Sequence, residues 1–515
     1  MKRKIIAVLL LTVSLTFSGC KKADTENVAV SEASNSTSAK STDTQSSTQS
    51  SEDTSGMFTD RDKEIGYDEE NSAKIQLSEN GTTCDSDAVS ISGNTVTITD
   101  EGTYILSGSL SDGMVIVAAE DTDKVQIVLD GVDITSSASA AIYVRSADKV
   151  FLTTAAGSEN TLTNGGTYTA IDENNIDAVI FSKSDLTLNG AGTLKITAQA
   201  GHGIVSKDDL VLTSGTYEIN AEKHGLSGKD SVRIADGTYA ITCGKDGIHS
   251  SNSEDESKGF VYLAGGKFEI TAGDDGVHAD SALTITNGTI QINESYEGLE
   301  GKSIDIAGGE ITLTASDDGL NAAGGADGSG FEGAGGDQFS AGEDGVYIQI
   351  SGGILHVNAS GDGIDSNGDL TVSGGETYVS GPVDSGNAAL DYNGEAVING
   401  GIFVAAGSVG MAQNFGSSST QGAMLVTVDS QNVGSTVSLT DSSGENLMSW
   451  TPDKSYSSVV ISCPEITQGE TYTLTAGNET QQITMDSLIY GSGTMEGPGG
   501  GQMNGREREN FQGGR

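Results

Sequence analysis

A glycine corner returns at a nearly fixed interval through the middle of this chain, and that interval limits the possible folds more than any other feature. The repeats read GHGIVSKDDLVL from Gly201, KHGLSGKDSVRI from Lys223, KDGIHSSN from Lys245 and DDGVHADSALTI from Asp274. They continue as YEGLEGKSIDI from Tyr296, DDGLNAAGG from Asp317 and GDGIDSNGDLTV from Gly361. The central glycines, Gly203, Gly225, Gly247, Gly276, Gly298, Gly319 and Gly363, lie 22, 22, 29, 22, 21 and 44 residues apart. The interval of 29 contains the acidic insertion SNSEDES from Ser251, and the interval of 44 contains a Gly-rich insertion at residues 322–342. Weaker relatives, IDAVIFSKSDLTL from Ile176 and AALDYNGEAVI from Ala388, flank the set.

Each repeat carries three short apolar runs parted by turns. After Gly276 these are VHA, ALTIT and TIQIN, separated by Asp-Ser and Asn-Gly. Alternation at period two points every second side chain inward, as in a strand with one buried face. Three strands and three turns per 22 residues describe one coil of an all-β, single-stranded parallel β-helix. No coil buries its apolar face alone, so the coils must stack, and roughly a dozen are expected. The composition fits short strands and many turns: 71 Gly, 4 Pro and only 5% aromatic residues in 515.

The ends of the chain differ from the repeats. MKRKIIAVLLLTVSLTFSGC has a basic start and an apolar run too short to span a bilayer, which predicts a signal peptide over 1–19. Small residues directly before Cys20 predict lipidation at that cysteine, hence a membrane-anchored, cell-surface protein. Residues 20–56 are Ser/Thr-rich and acidic with little to bury, which predicts a disordered tether. The β-helix is expected over 57–415 and a small C-terminal β cap over 416–490, where LVTVDSQNVGSTVSLT and TYTLTAGNETQQITM alternate at hairpin spacing. Trp450 falls in that cap and reads as core. A Gly-rich disordered tail is expected over 491–515. Cys84, Cys243 and Cys463 fit neither a disulfide framework nor a zinc pattern and are expected to be buried free thiols.

Stacked coils put equivalent corner positions above one another. The position before the glycine reads His202, His224, Asp246, Asp275, Glu297, Asp318, Asp362, and the position two after it reads Val205, Ser227, His249, His278, Glu300, Asn321, Asp365. Asp274 and Asp317 add carboxylates at the same corner. Carboxylates about 4.8 Å apart repel by roughly 1 kcal/mol in water and by about 3 to 4 kcal/mol at an effective dielectric near 20. A divalent cation removes that cost, and Ca²⁺ accepts many oxygen ligands in adaptable geometry. The predicted Ca²⁺ ligands are Asp274, Asp275, Glu297, Glu300, Asp317, Asp318, Asp362 and Asp365. Asp-Asp-Gly also makes a good turn, with the glycine supplying positive φ, but turn chemistry leaves two acidic columns at one corner unexplained. The histidines, spread by the repeat, are not expected to converge on a transition metal. Lys183, Lys207, Lys229 and Lys302 align at the following corner and are expected to be structural.

Formal charge is −47, from 73 acidic and 26 basic residues. Such a chain repels nucleic acid, and it repels an acidic polymer unless a cation intervenes.

The stretches FTDRDKEIGYDEE from Phe58, ITDEGTYILSGSLSDGMVIV from Ile98, VQIVLDGVDITSSASAAIYV from Val125 and SENTLTNGG from Ser158, with the DDG corners, resemble a bacterial family of carbohydrate-binding domain lipoproteins. The resemblance covers about residues 57–490. It implies a right-handed parallel β-helix related to calcium-dependent pectate lyases, with Ca²⁺ at the Asp corners and binding of cellulose-like and acidic plant polysaccharides. Glu297 and Glu300 depart from the Asp of the other repeats. The expected protein is a monomeric surface lipoprotein that binds acidic, pectin- or polygalacturonate-like polysaccharide with Ca²⁺ and without cleavage. The scarcity of aromatic platforms makes cellulose the weaker ligand. Two alternatives stand beside it: a calcium-dependent polysaccharide lyase with Lys245 as base, and a non-catalytic surface spacer with structural calcium.

Overall fold

A computed structural model of the chain describes residues 56–323 and 345–491. The expected signal peptide, Cys20, the tether up to residue 55, the Gly-rich insertion from residue 324 and the tail from residue 492 lie outside the described residues.

The period-two runs form a parallel β-solenoid of about 11 turns. Each coil contributes strands to three parallel ladders. One runs through His202–Ser206, Leu226–Gly228 and Ile248–Ser250, a second through Asp209–Leu212, Ser231–Ile234 and Phe260–Leu263, and a third through Thr216–Ala221, Thr238–Cys243 and Lys267–Ala272. In the first ladder the aliphatic after each central glycine pairs with its counterpart one coil on: Ile204 with Leu226, then Ile248, Val277, Leu299, Leu320 and Ile364. All seven are fully buried. At about 1.5–3 kcal/mol per buried large aliphatic, this row is a main source of coil-to-coil cohesion. Inside the third ladder, Tyr217, Tyr239 and Phe268 stack at centroid distances of 5.2 and 4.8 Å.

The central glycines are required for a reason other than the expected positive φ. None of the seven has φ in the left-handed region. A Cβ on Gly203, Gly225, Gly247, Gly276, Gly298 or Gly319 would instead stand 2.4–2.7 Å from the carbonyl oxygen of the next coil's glycine. The coils touch backbone to backbone at this corner, and only glycine leaves the room.

After Ile402–Gly407, the last strand of the parallel coils, most pairing turns antiparallel. Tyr456–Ser462 pairs with Ile402–Gly407 on one side and Ala423–Gln431 on the other, so the terminal edge is occupied. A separate antiparallel sheet of Asn446–Trp450, Val437–Thr440, Thr471–Ala476 and Glu479–Thr484 packs onto these terminal strands, sharing one core with them. Trp450 is half-buried against that core. Cys243 and Cys463 are buried free thiols, whereas Cys84 is only half-buried.

The segment FTDRDKEIG is a strap laid across the outside of the coils. Asp62 is its anchor: buried, 2.8 Å from Lys149 Nζ, and accepting hydrogen bonds from Thr187 Oγ1 at 2.6 Å and Thr59 Oγ1 at 2.7 Å. The Asp62 carbonyl accepts from Asn189 and Thr213, and Arg233 donates to the Met57 carbonyl. Arg61 stacks over Phe151, and Phe58 packs against Tyr262. Burial opposes the charged form of Asp62, but the Lys149, Thr187 and Thr59 bonds prevail and hold its pKa at about 2.

Candidate metal and polysaccharide site

The two predicted columns exist. Backbone N–H groups of Gly203, Gly225, Gly247, Gly276, Gly298 and Gly319 donate to the carbonyl of the residue preceding the next coil's glycine, which stacks His224, Asp246, Asp275, Glu297, Asp318 and Asp362 in order. In the second column Val205, Ser227, His249, His278, Glu300, Asn321, Asp365 and Asp391 pair in register.

A second ladder, which the sequence did not reveal, runs through the side chains of the first column. His202 Nδ1 accepts from the His224 N–H, and His224 Nδ1 accepts from the Asp246 N–H. Asp246 Oδ1 then accepts from Asp275, Asp275 Oδ1 from Glu297, Asp318 Oδ1 from Asp362, and Asp362 Oδ1 from Ala388. Each of these side chains is held by the coil after it. Carboxylates fixed this way cannot swing apart to relieve their repulsion.

The predicted ligands divide into separate groups. Asp318, Asp362 and Asp365 bring carboxylate oxygens within 4.8 Å of one another. Asp362 and Asp365 are buried, while Asp318 keeps an edge to solvent. Burial, followed by the charges of Asp362, Asp365 and Asp317, holds the Asp318 carboxyl well above the usual carboxylate range. A Cβ on Gly361 would stand 2.3 Å from Oδ1 of both Asp317 and Asp318, so the glycine keeps the space these oxygens need. Crowded, ordered, partly open oxygens of this kind fit Ca²⁺.

Asp275, Glu297 and Glu300 also converge within 4.8 Å and are all buried, but their charge is already partly answered. His278 Nδ1 contacts Glu300 and lies 3.3 Å from Asp275, and its Nε2 lies 3.3 Å from Asp280. Burial opposes the imidazolium, yet these three carboxylates carry the His278 pKa well above its ordinary value. Burial pushes Asp275 up to about 8, against the pull of His278 and with the push of Asp246 and Glu300. Asn321 donates to Glu297 at 3.0 Å. Of the two remaining predicted ligands, Asp274 pairs with Lys245 at 2.7 Å, and Asp317 flanks the Asp318 group.

The histidines do not spread out as the repeat length implied. His202, His224, His249 and His278 form one continuous stack, with centroids 4.8, 4.1 and 5.0 Å apart. The repeat separates them in sequence, but the parallel register brings them together across both columns.

Residues 92–345 match a family model described as carbohydrate-binding domain-containing protein. Over this stretch, just under half of its length, the chain is similar to that family. The matched residues include Asp275, Glu297, Glu300 and Asp318, whereas Asp362 and Asp365 lie beyond them. A carbohydrate-binding domain-containing protein of Acetivibrio thermocellus is 37% identical over 152 residues, which are 29% of this chain and 53% of that protein. The chain thus spans about half the length of this curated relative. A solved structure, the polysaccharide lyase-like protein from C. thermocellum as a gadolinium derivative, aligns at 34% identity with a TM-score of 0.42. That alignment covers 48% of this chain and 96% of the solved one. The similarity to this family supports carbohydrate binding.

Proposed function

We propose that this protein is a lipid-anchored, cell-surface binder of acidic, pectin- or polygalacturonate-like polysaccharide, which it holds through Ca²⁺ and does not cleave. The observation that carries the reading is the convergence of Asp318, Asp362 and Asp365 at a partly open corner of a strongly acidic chain. Ca²⁺ held there supplies positive charge that both protein and uronate carboxylates can share. Asp362 and Asp365 provide the buried side of the site, and Asp318 provides the side that faces solvent. The coil-to-coil N–H bonds to Asp318 and Asp362 orient their carboxylates before any ligand arrives. Equilibrium binding to polygalacturonate, with cellulose as the neutral comparator, tests the reading. Binding should appear with Ca²⁺, vanish in chelator and weaken in Asp318→Asn; equal retention in chelator would overturn it.

A second reading, a polysaccharide lyase, has one observation in its favour. Lys454 donates to the carbonyl of Ala359, three residues before Asp362, and burial pulls its ammonium down to about 8. An amine with that pKa reaches its neutral, proton-accepting form near physiological pH. Product formation that requires Lys454 would establish this second reading.

A further inference from the structure

The N-terminal half of the corner has a different donor set from the calcium group. His224 and Asp246 occupy the first column in successive coils, and His249 lies in the second column of the Asp246 coil. Asp246 Oδ2 lies 3.0 Å from His224 Nδ1 and 2.6 Å from His249 Nδ1. The Asp246 carboxylate is almost fully buried, and the two imidazoles are about one-fifth exposed.

The hydrogen-bond accounting at this point does not close. The backbone N–H of Asp246 donates to His224 Nδ1 at 3.2 Å, so that nitrogen presents a lone pair. The same nitrogen faces the acceptor oxygen of Asp246 at 3.0 Å. A neutral His249 can donate its Nδ1 proton to Oδ2, but that leaves the His224 lone pair against a carboxylate. A proton on His224 Nδ1, or a metal cation held between the three atoms, removes the conflict.

We propose that His224, Asp246 and His249 hold a borderline transition-metal ion of the Zn²⁺ class, at a site separate from the calcium group. Two imidazole nitrogens and one carboxylate oxygen are a donor set that Zn²⁺ takes, with a fourth position left open. Ca²⁺ prefers oxygen throughout. Ligands each about 2.0–2.1 Å from a tetrahedral Zn²⁺ lie about 3.3–3.4 Å from one another, so Asp246 and the two imidazoles, 3.0 and 2.6 Å apart, need to open by only a few tenths of an ångström to admit the ion. The ring stack holds His224 between His202 and His249, with interplanar angles of 16° and 18°. Both rings are thereby ordered before a metal arrives. Lys245, next to Asp246 in sequence, is drawn to Asp274 and does not compete. The partly exposed imidazole edges place the open position toward water or an oxygen of a bound ligand.

The test is calorimetric titration of ZnCl₂ into the untagged full chain with millimolar Ca²⁺ present to occupy the oxygen sites. One equivalent of Zn²⁺ should bind. His224→Gln and His249→Gln should each weaken it by about tenfold or more, while His202→Gln, which alters the stack but removes no ligand, should not. Metal-free thermal melts check that the variants fold. Independently of any variant, Cu²⁺ bound to the native chain should show nitrogen couplings from two imidazoles in electron paramagnetic resonance. Failure to take up Zn²⁺ in the presence of Ca²⁺, unchanged affinity in both ligand variants, or a Cu²⁺ spectrum without nitrogen couplings would overturn the proposal.

Discussion

The Lys245 ammonium lies 2.7 Å from Asp274 Oδ2, and this pairing raises its pKa rather than lowering it. A general base must be able to shed its proton near the working pH, and this contact works against that. Lys245→Ala should therefore leave calcium-dependent polysaccharide binding unchanged within error, and no unsaturated product should form with or without Lys245. Product that requires Lys245 would show that the ion pair had been misjudged as structural.

In the proposed function, the Asp318 group sets the response to calcium. A ligand at 100 times its dissociation constant adds about 2.7 kcal/mol, so chelator should lower the melting temperature of the native chain by several degrees. In Asp318→Asn the metal-free protein should be no less stable, because a crowded carboxylate has become neutral, and the calcium increment should shrink. A calcium increment that survives Asp318→Asn intact would move the ion elsewhere.

Asp62 governs the strap. Its ordinary pKa of 3.8 falls to about 2 in the folded chain, a shift that corresponds to about 2 kcal/mol. Because the folded value is the lower one, this stabilisation is complete above about pH 4 and is lost as pH falls toward 2. Asp62→Ala should cost more, about 3 to 5 kcal/mol, since it strands Lys149. Hydrogen exchange should then show lost protection over residues 57–64 and at the strands that the strap touches, with coils beyond residue 289 unaffected.

Anchoring is tested separately, because Cys20 lies outside the described residues. Stable attachment requires two or more acyl chains, each buried CH₂ contributing about 0.8 kcal/mol. Cys20→Ala should release the protein into the medium, and continued membrane retention would remove the lipoprotein assignment.

The coil and its register were legible because a period of 22 residues and a period of two act together: each inward aliphatic is fixed by its neighbours in sequence and by the glycine before it. The vertical columns followed from the same register. What the columns do was less legible. The sequence shows that Asp275 and Asp318 are equivalent, but it does not show that His278, which stands where the Asp318 coil has Asn321, neutralises the carboxylates around Asp275. The glycine rule was readable but its cause was not, since backbone contact between coils and a left-handed turn select the same residue. FTDRDKEIG stood out as a motif, yet nothing local in it points to Thr187 or Asn189, more than a hundred residues away. Lys454 was invisible for the same reason: its partner, Ala359, lies on a distant strand.

The central claim is tested most directly in one tube holding the untagged full chain, polygalacturonate and stepped concentrations of Ca²⁺. Co-sedimentation with polymer and the ultraviolet absorbance of unsaturated uronate ends are read from the same samples. The account predicts co-sedimentation that rises with Ca²⁺, reverses in chelator and is lost when Asp318→Asn and Asp365→Asn are combined, with no rise in absorbance at any step. Co-sedimentation indifferent to Ca²⁺, or a calcium-dependent rise in absorbance that disappears in Lys454→Ala, would contradict it.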